Sequence, residues 1–184
     1  MVEPILEPLL RQIRFNKVLN QITKNSTVID IGCGHTAHFL NRLERYLKSG
    51  IGIDPLIKNS KIGKIHLISH FLSNKIPVKS NSADFVTLIA VLEHLENHNA
   101  ILLESYRILK PGGKIVITTP TPANKPLLEF LAFKIGIVSK REIAEHKTYF
   151  WKGELVKGLE ESGYKNIKHE YFELWLNNFV IAEK

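Results

Sequence analysis

Cysteine, long apolar runs and clustered charge are scarce in this sequence, and each scarcity removes a class of protein. Cys33 is the single cysteine. That excludes an intrachain disulfide framework and a cysteine-rich zinc site, and it agrees with a reducing compartment. No uncharged apolar run approaches the roughly 20 residues that a membrane-spanning helix needs. The first residues carry Glu3 and Glu7 with two prolines, unlike the basic head and apolar middle of a secretory signal. A soluble, cytoplasmic protein is the expectation. Lys and Arg number 25 against 18 Asp and Glu, and 25 − 18 gives +7. Yet no four basic residues are consecutive and no nucleic-acid motif accompanies them, so the excess reads as a lysine-rich solvated surface.

What is present is enough for a packed core. A 44% apolar share over 184 residues fits one globular domain, here 1–184. Ile5, Leu6, Leu9, Leu10, Ile13, Val18, Leu19 and Ile22 recur at spacings of three and four, a helix with one apolar face. Strands are expected at 27–31, 51–53, 65–68, 84–89 and 115–119, short β-branched or apolar runs, the first, second and last stopped by Gly32, Asp54 and Pro120. Helical spacing fills the gaps through Phe39 to Leu47 and Leu102 to Leu109, and Lys110-Pro111-Gly112-Gly113 reads as a turn. A helix near 152–162 and strands near 164–170 and 174–182 close the chain, the last two as an antiparallel hairpin at the sheet edge. Apolar strands alternating with helices mean an α/β fold, a doubly wound, Rossmann-like parallel sheet covered on both faces. Only 120–150 breaks the rhythm, with Pro120, Pro122 and Pro126.

In such sheets a ligand lies beyond the carboxyl ends of the strands. Three features stand there: the turn Asp30-Ile31-Gly32-Cys33-Gly34, the pair Asp54-Pro55, and the loop Ala90-Val91-Leu92-Glu93-His94. Glycines let a ligand approach the backbone closely. Asp54 follows Gly34 by 20 residues, the spacing of an acid that holds ribose hydroxyls. Gly32-x-Gly34-x-x-Ala37 also fits a dinucleotide fingerprint, which keeps a nicotinamide-dependent oxidoreductase among the readings. Asp30 argues against it. A carboxylate beside the turn repels a pyrophosphate and attracts a ligand bearing an ammonium and a sulfonium, as S-adenosylmethionine does.

Val28-Ile29-Asp30-Ile31-Gly32-Cys33-Gly34, Gly52-Ile53-Asp54, Asp84-Phe85-Val86, Leu92-Glu93-His94 and Leu109-Lys110-Pro111-Gly112-Gly113 together resemble the class I S-adenosylmethionine-dependent methyltransferases. The likeness is greatest to their small-molecule group and spans about residues 25–120. It implies a sheet of about seven strands with a reversed last strand. It also implies that Asp30 supports the methionine end of the cofactor, that Gly32, Cys33 and Gly34 pack beneath it, and that Asp54 accepts both ribose hydroxyls. The sequence departs from the family at Phe71-Leu72, where many relatives carry an acid for the adenine amino group; here adenine is expected to rest on apolar side chains.

The acceptor side is read from histidines near strand ends. His94 follows the fourth expected strand, and His146 and Tyr149 lie where members of the resembled group carry a His followed by aromatics. His35, His38 and Cys33 read as packing or solvent residues. No His/Cys/carboxylate spacing points to a metal. The segment 126–141 is apolar over 126–138 and basic at Lys134, Lys140 and Arg141. Its readings are a lid over an apolar acceptor pocket, an oligomer contact, or a helix resting on a membrane surface. Expected overall is methyl transfer from S-adenosylmethionine to a small, lipophilic or aromatic molecule, with a cofactor-binding regulatory or assembly protein without turnover as the non-enzymatic rival.

Overall fold

The computed structural model describes residues 6–73, 75–135 and 144–184, with backbone only for Ala132 and Phe133. Its centre is an eight-stranded sheet. Strands β1 (Thr27–Ile31), β2 (Ser49–Asp54), β3 (Ser60–Ile62), β4 (Ile65–Ser69), β5 (Ala83–Ile89), β6 (Leu109–Pro120), β7 (Lys165–Phe172) and β8 (Asn177–Glu183) lie in the order β3-β4-β2-β1-β5-β6-β8-β7. Strands β4, β2, β1, β5 and β6 run parallel, while β8 is antiparallel to both β6 and β7. The expected reversed last strand and terminal hairpin are both there.

Helices α1 (Glu7–Leu19), α2 (His38–Leu43), α3 (His98–Ile108), α4 (Lys125–Glu129) and α5 (Lys152–Glu161) lie among the described residues, with short 3-10 turns at Glu44–Tyr46, Leu92–His94 and Pro122–Asn124. Side-chain alternation along the strands assigns them to faces. Ile29, Ile31, Val86, Leu88, Ile115 and Ile117 form one core with Ile101, Leu102 and Ile108 of α3 and Leu155 and Leu159 of α5. Val28, Phe85, Val116 and Phe179 form the other with Val18 of α1 and Phe39, Leu40 and Leu43 of α2. Asn97 caps α3 by accepting from the Ala100 amide. The Glu154 carboxylate receives the Trp151 amide at 2.7 Å and holds the first turn of α5.

The expected sheet of about seven strands carries an eighth at its edge, because Ser60–Ile62 turns back through Gly63 at φ +54° and pairs antiparallel with β4. All three β3 residues are exposed, so no alternation of apolar residues announced the strand. Lys110–Gly113 lies within β6, not between a helix and a strand. Leu109 pairs with Ala83 and Lys114 with Phe85, so the Pro-Gly-Gly segment bulges out of the ladder, with Gly112 at φ +76°. The apolar stretch after Pro126 is the short α4 followed by a turn of π-helix over Phe130–Ile135; its continuation through 136–143 lies outside the described residues.

The chain runs outward from β1 to β2 and β4, then returns to lay β5 on the other side of β1. Strand order therefore reverses between β1 and β5. There the crevice opens at the carboxyl edge.

Candidate active site

Asp30 stands at the crevice floor. It faces Thr87 across the β1–β5 register, and the Thr87 hydroxyl donates to its carboxylate at 2.6 Å. Only 2% of the residue is exposed. Burial pushes its pKa up to about 7, with the Thr87 bond opposing and nearby Asp54 adding to the rise. The carboxylate thus receives a neighbouring strand's hydroxyl and keeps its charge poised near neutrality.

The chain leaves β1 through Gly32 and Gly34, at φ +76° and +70°. A Cβ on Gly32 would lie 2.4 Å from Val91, so only glycine lets the turn sit against the β5 loop. A Cβ on Gly34 would meet nothing within 4 Å; the turn borders open space. The Gly34 amide donates to Asp54 at 2.9 Å, and the Leu56 amide donates to its other carboxylate oxygen at 2.8 Å. The ends of β1 and β2 are tied together in this way, with Asp54 oriented at the edge and Pro55 exposed beside it. Cys33 packs over Gly52, where a Cβ would lie 2.8 Å from its sulfur. Burial, then Asp30 and Asp54, pushes the thiol pKa up, which leaves it without nucleophilic character.

Ala90 continues the rim in a left-handed conformation, φ +55°. Such strain costs roughly 1–3 kcal/mol and persists where surroundings impose it. Here the Ala90 amide donates to the Thr118 carbonyl at 2.9 Å, and Val91 is buried. Phe71 lies beyond β4 with 79% of its surface exposed, while Leu72 packs against the core. The structure brings Asp30, Gly32, Cys33, Gly34, Asp54 and Ala90 to one edge. His35 and His38 are exposed beside it.

The other half of this edge is built on Glu93, which sequence reading singled out only as the neighbour of His94. Glu93 is 1% exposed and accepts from the Thr119 hydroxyl at 2.9 Å. Burial raises its pKa, with His94 the largest opposing influence. Its carbonyl receives the amides of Lys147 and Thr148 at 2.7 and 3.1 Å. Those two bonds clamp 144–150 onto the β5 loop. His146 is thereby set against His94, their rings 4.8 Å apart edge to face. His146 Nδ1 lies 3.0 Å from the Tyr149 hydroxyl. Burial, with His94 and Arg14 behind it, depresses His146 to about 4, so it is neutral at physiological pH. Tyr149 is pushed up to about 12 by burial and by Glu129 and Glu93, and stays a phenol. Ligand atoms of Glu93, His94 and His146 all lie within 4.8 Å of one another. Spacing along the chain gave no sign of this, because the tertiary clamp makes the group.

Leu128 and Leu131, from the segment after β6, and Leu6 and Leu10, near the start of α1, are half-buried against a third apolar cluster. A small apolar cluster therefore stands outside the main cores. Beyond it Leu127, Phe130 and Ile135 are exposed.

Comparisons with known proteins bear on the family and the fold. Residues 7–169 match the family model described as a methyltransferase domain. Among curated relatives, a demethylmenaquinone methyltransferase of Oceanobacillus iheyensis is 27% identical over 173 residues, covering 85% of this chain and 70% of the relative. A mitochondrial ubiquinone biosynthesis O-methyltransferase of Rattus norvegicus is 32% identical over 129 residues, covering 64% of this chain and 35% of the relative. A solved SAM-dependent methyltransferase from Archaeoglobus fulgidus superposes with a TM-score of 0.71 at 21% identity, covering 95% of this chain and 93% of that one, which shows the shared fold. Neither the nicotinamide reading nor the reading without turnover stands beside these matches: the chain belongs to the methyltransferase domain family and is a class I S-adenosylmethionine-dependent methyltransferase.

Proposed function

We propose that this domain holds S-adenosylmethionine along the edge of β1, β2, β4 and β5 and passes its methyl group to a small lipophilic hydroxy-aromatic acceptor of the quinol class. Bound there, the cofactor supplies an electrophilic methyl carbon on a sulfonium. The residues fit it chemically. Gly34 borders open space, Asp54 is oriented by two amides and retains accepting capacity for a ribose diol, and Asp30 offers negative charge to a cationic ligand. Phe71 presents an exposed ring for a base to stack on. Gly32, Cys33, Pro55, Leu72 and Ala90 complete this cofactor edge.

Acceptor binding falls to His94, His146 and Tyr149 together with the apolar side chains of 120–150, which we take as the acceptor-side insertion of a single domain. Two curated relatives carry quinone methylation in their names, and the small apolar cluster against which Leu6, Leu10, Leu128 and Leu131 pack suits an acceptor of that kind. No described helix is long and apolar enough to cross a membrane. Exposed Leu127, Phe130 and Ile135 support a cytoplasmic protein that touches a membrane surface through 126–141 to reach a lipophilic acceptor.

The observation that carries the reading is the tie from Gly34 to Asp54 beside a buried Asp30 at the β1–β5 switch point. Isothermal calorimetry tests it. One equivalent of S-adenosylmethionine or its demethylated product should bind, and NADH should not. Binding of NADH in their place would contradict it.

A further inference from the structure

We propose that Glu93, His94 and His146 form a binding site for one divalent transition-metal ion, zinc by preference, at the acceptor side of the crevice. Each group offers one ligand atom, and these atoms lie within 4.8 Å of one another. Bonds of 2.0–2.1 Å to a tetrahedral ion put ligand atoms about 3.4 Å apart. Closure from the widest separation moves each atom inward by about 0.8 Å, a side-chain adjustment that needs no backbone change.

The surroundings of the three groups prepare them for this. The Glu145 carbonyl can only accept, so His94 Nδ1, 3.3 Å away, carries the proton and donates to it. With Nδ1–H so engaged, Nε2 is the nitrogen left to face an ion. His146 Nδ1 is engaged with the Tyr149 hydroxyl, which leaves Nε2 as its ligating nitrogen. Glu93 receives the Thr119 hydroxyl on one oxygen and is buried. Metal-binding histidines and carboxylates nearly always have such a second partner that fixes tautomer and aim. The two amides on the Glu93 carbonyl hold His146, distant in sequence, in place before any ion arrives.

Two imidazoles and one carboxylate suit zinc and its first-row neighbours rather than magnesium, which prefers oxygen ligands in an octahedron. Three protein ligands leave a position open for water or an acceptor oxygen. A hydroxyl bound there loses its proton to water at a lower pH than in bulk, as metal-bound water does. The site would accordingly take acceptors that react as a phenolate or enolate, through the oxygen or the ring carbon beside it. This use of the ion rests on the methyltransferase reading; the ion site itself does not.

The test is zinc binding by the intact chain, measured by competition with a chromophoric chelator and by elemental analysis after dialysis. One zinc per chain with submicromolar affinity is expected. His146→Ala and His94→Ala should each weaken it at least 100-fold, and Thr119→Val about tenfold, while calorimetric S-adenosylmethionine affinity stays within threefold. Cobalt in place of zinc should give the intense visible absorption of a low-coordinate site. Failure of the folded protein to bind stoichiometric zinc, preference for magnesium, or undiminished binding by a folded His94→Ala/His146→Ala double variant would each overturn the proposal. S-adenosylmethionine binding without zinc binding defeats the ion site alone, and zinc binding without S-adenosylmethionine binding defeats the cofactor reading alone.

Discussion

Asp30 is a buried carboxylate kept against the interest of stability. Its folded pKa of about 7 lies above the ordinary 3.8 because burial disfavours the charged form. The sign follows directly. A raised folded pKa contributes stability that is present below 3.8 and is lost as pH rises through about 7. The shift corresponds to about 4 kcal/mol at 1.36 kcal/mol per pKa unit. Asp30→Asn keeps an acceptor for Thr87 without the charge. It should match the parent's melting temperature near pH 4 and exceed it by several degrees at pH 8, as calorimetric scans would show. The same variant should bind S-adenosylmethionine more weakly above pH 7 and lose the parent's gain in affinity with rising pH. A parent whose affinity falls as pH rises through 7 would deny Asp30 its electrostatic part.

Asp54 ties two amides and, in the proposed function, also holds the ribose, and one substitution weighs the two roles. Asp54→Asn retains an oxygen for one of the amides of Gly34 and Leu56, and its amide can still donate elsewhere. It no longer offers a carboxylate to hydroxyl donors, whose charge-assisted bonds are worth about 1.5–3 kcal/mol each. Titration should show the dissociation constant for S-adenosylmethionine raised at least about tenfold, the equivalent of 1.4 kcal/mol. A shift in melting temperature of more than several degrees would point instead to a chiefly structural Asp54.

At the scale of elements, Leu128 and Leu131 after β6 and Leu6 and Leu10 near the start of α1 pack against one small apolar cluster, apart from both main cores. Charging that contact should disturb acceptor recognition while the sheet edge keeps its cofactor. Leu128→Asp/Leu131→Asp is expected to raise the acceptor KM tenfold or more with cofactor affinity within about threefold. An unchanged KM would move acceptor recognition away from this cluster.

The elements that sequence could reveal were those with a one-dimensional signature. Strands β1, β2, β4 and β5 are short β-branched or apolar runs, and the glycines, Asp30 and Asp54 follow them at spacings that a ligand imposes. Strand β3 has no apolar side to display, since it only pairs its backbone with β4 at an edge. The Pro-Gly-Gly segment reads as a turn because it is one geometrically, yet it interrupts a strand. Glu93, His94 and His146 were illegible as a group for another reason. His146 reaches His94 only through amides of Lys147 and Thr148 bonded to the Glu93 carbonyl, a connection that no local pattern encodes.

The whole molecule divides its labour along one sheet edge. Strands β1, β2, β4 and β5 present charge, glycine and an exposed aromatic ring. The β5 loop, the clamped 144–150 segment and the irregular chain after β6 present histidines, a tyrosine and apolar side chains. A rigid doubly wound sheet with two cores lets these two halves differ chemically while sharing a boundary at Ala90–His94. The measurement that bears most directly on this division is transfer of a labelled methyl group from S-adenosylmethionine to a short-chain demethylmenaquinone kept reduced to its quinol. The parent chain should transfer label at a rate that falls at least tenfold in Asp54→Asn at subsaturating cofactor. Absence of transfer to that acceptor and to other reduced hydroxyquinones, by protein that binds the cofactor, would contradict the account.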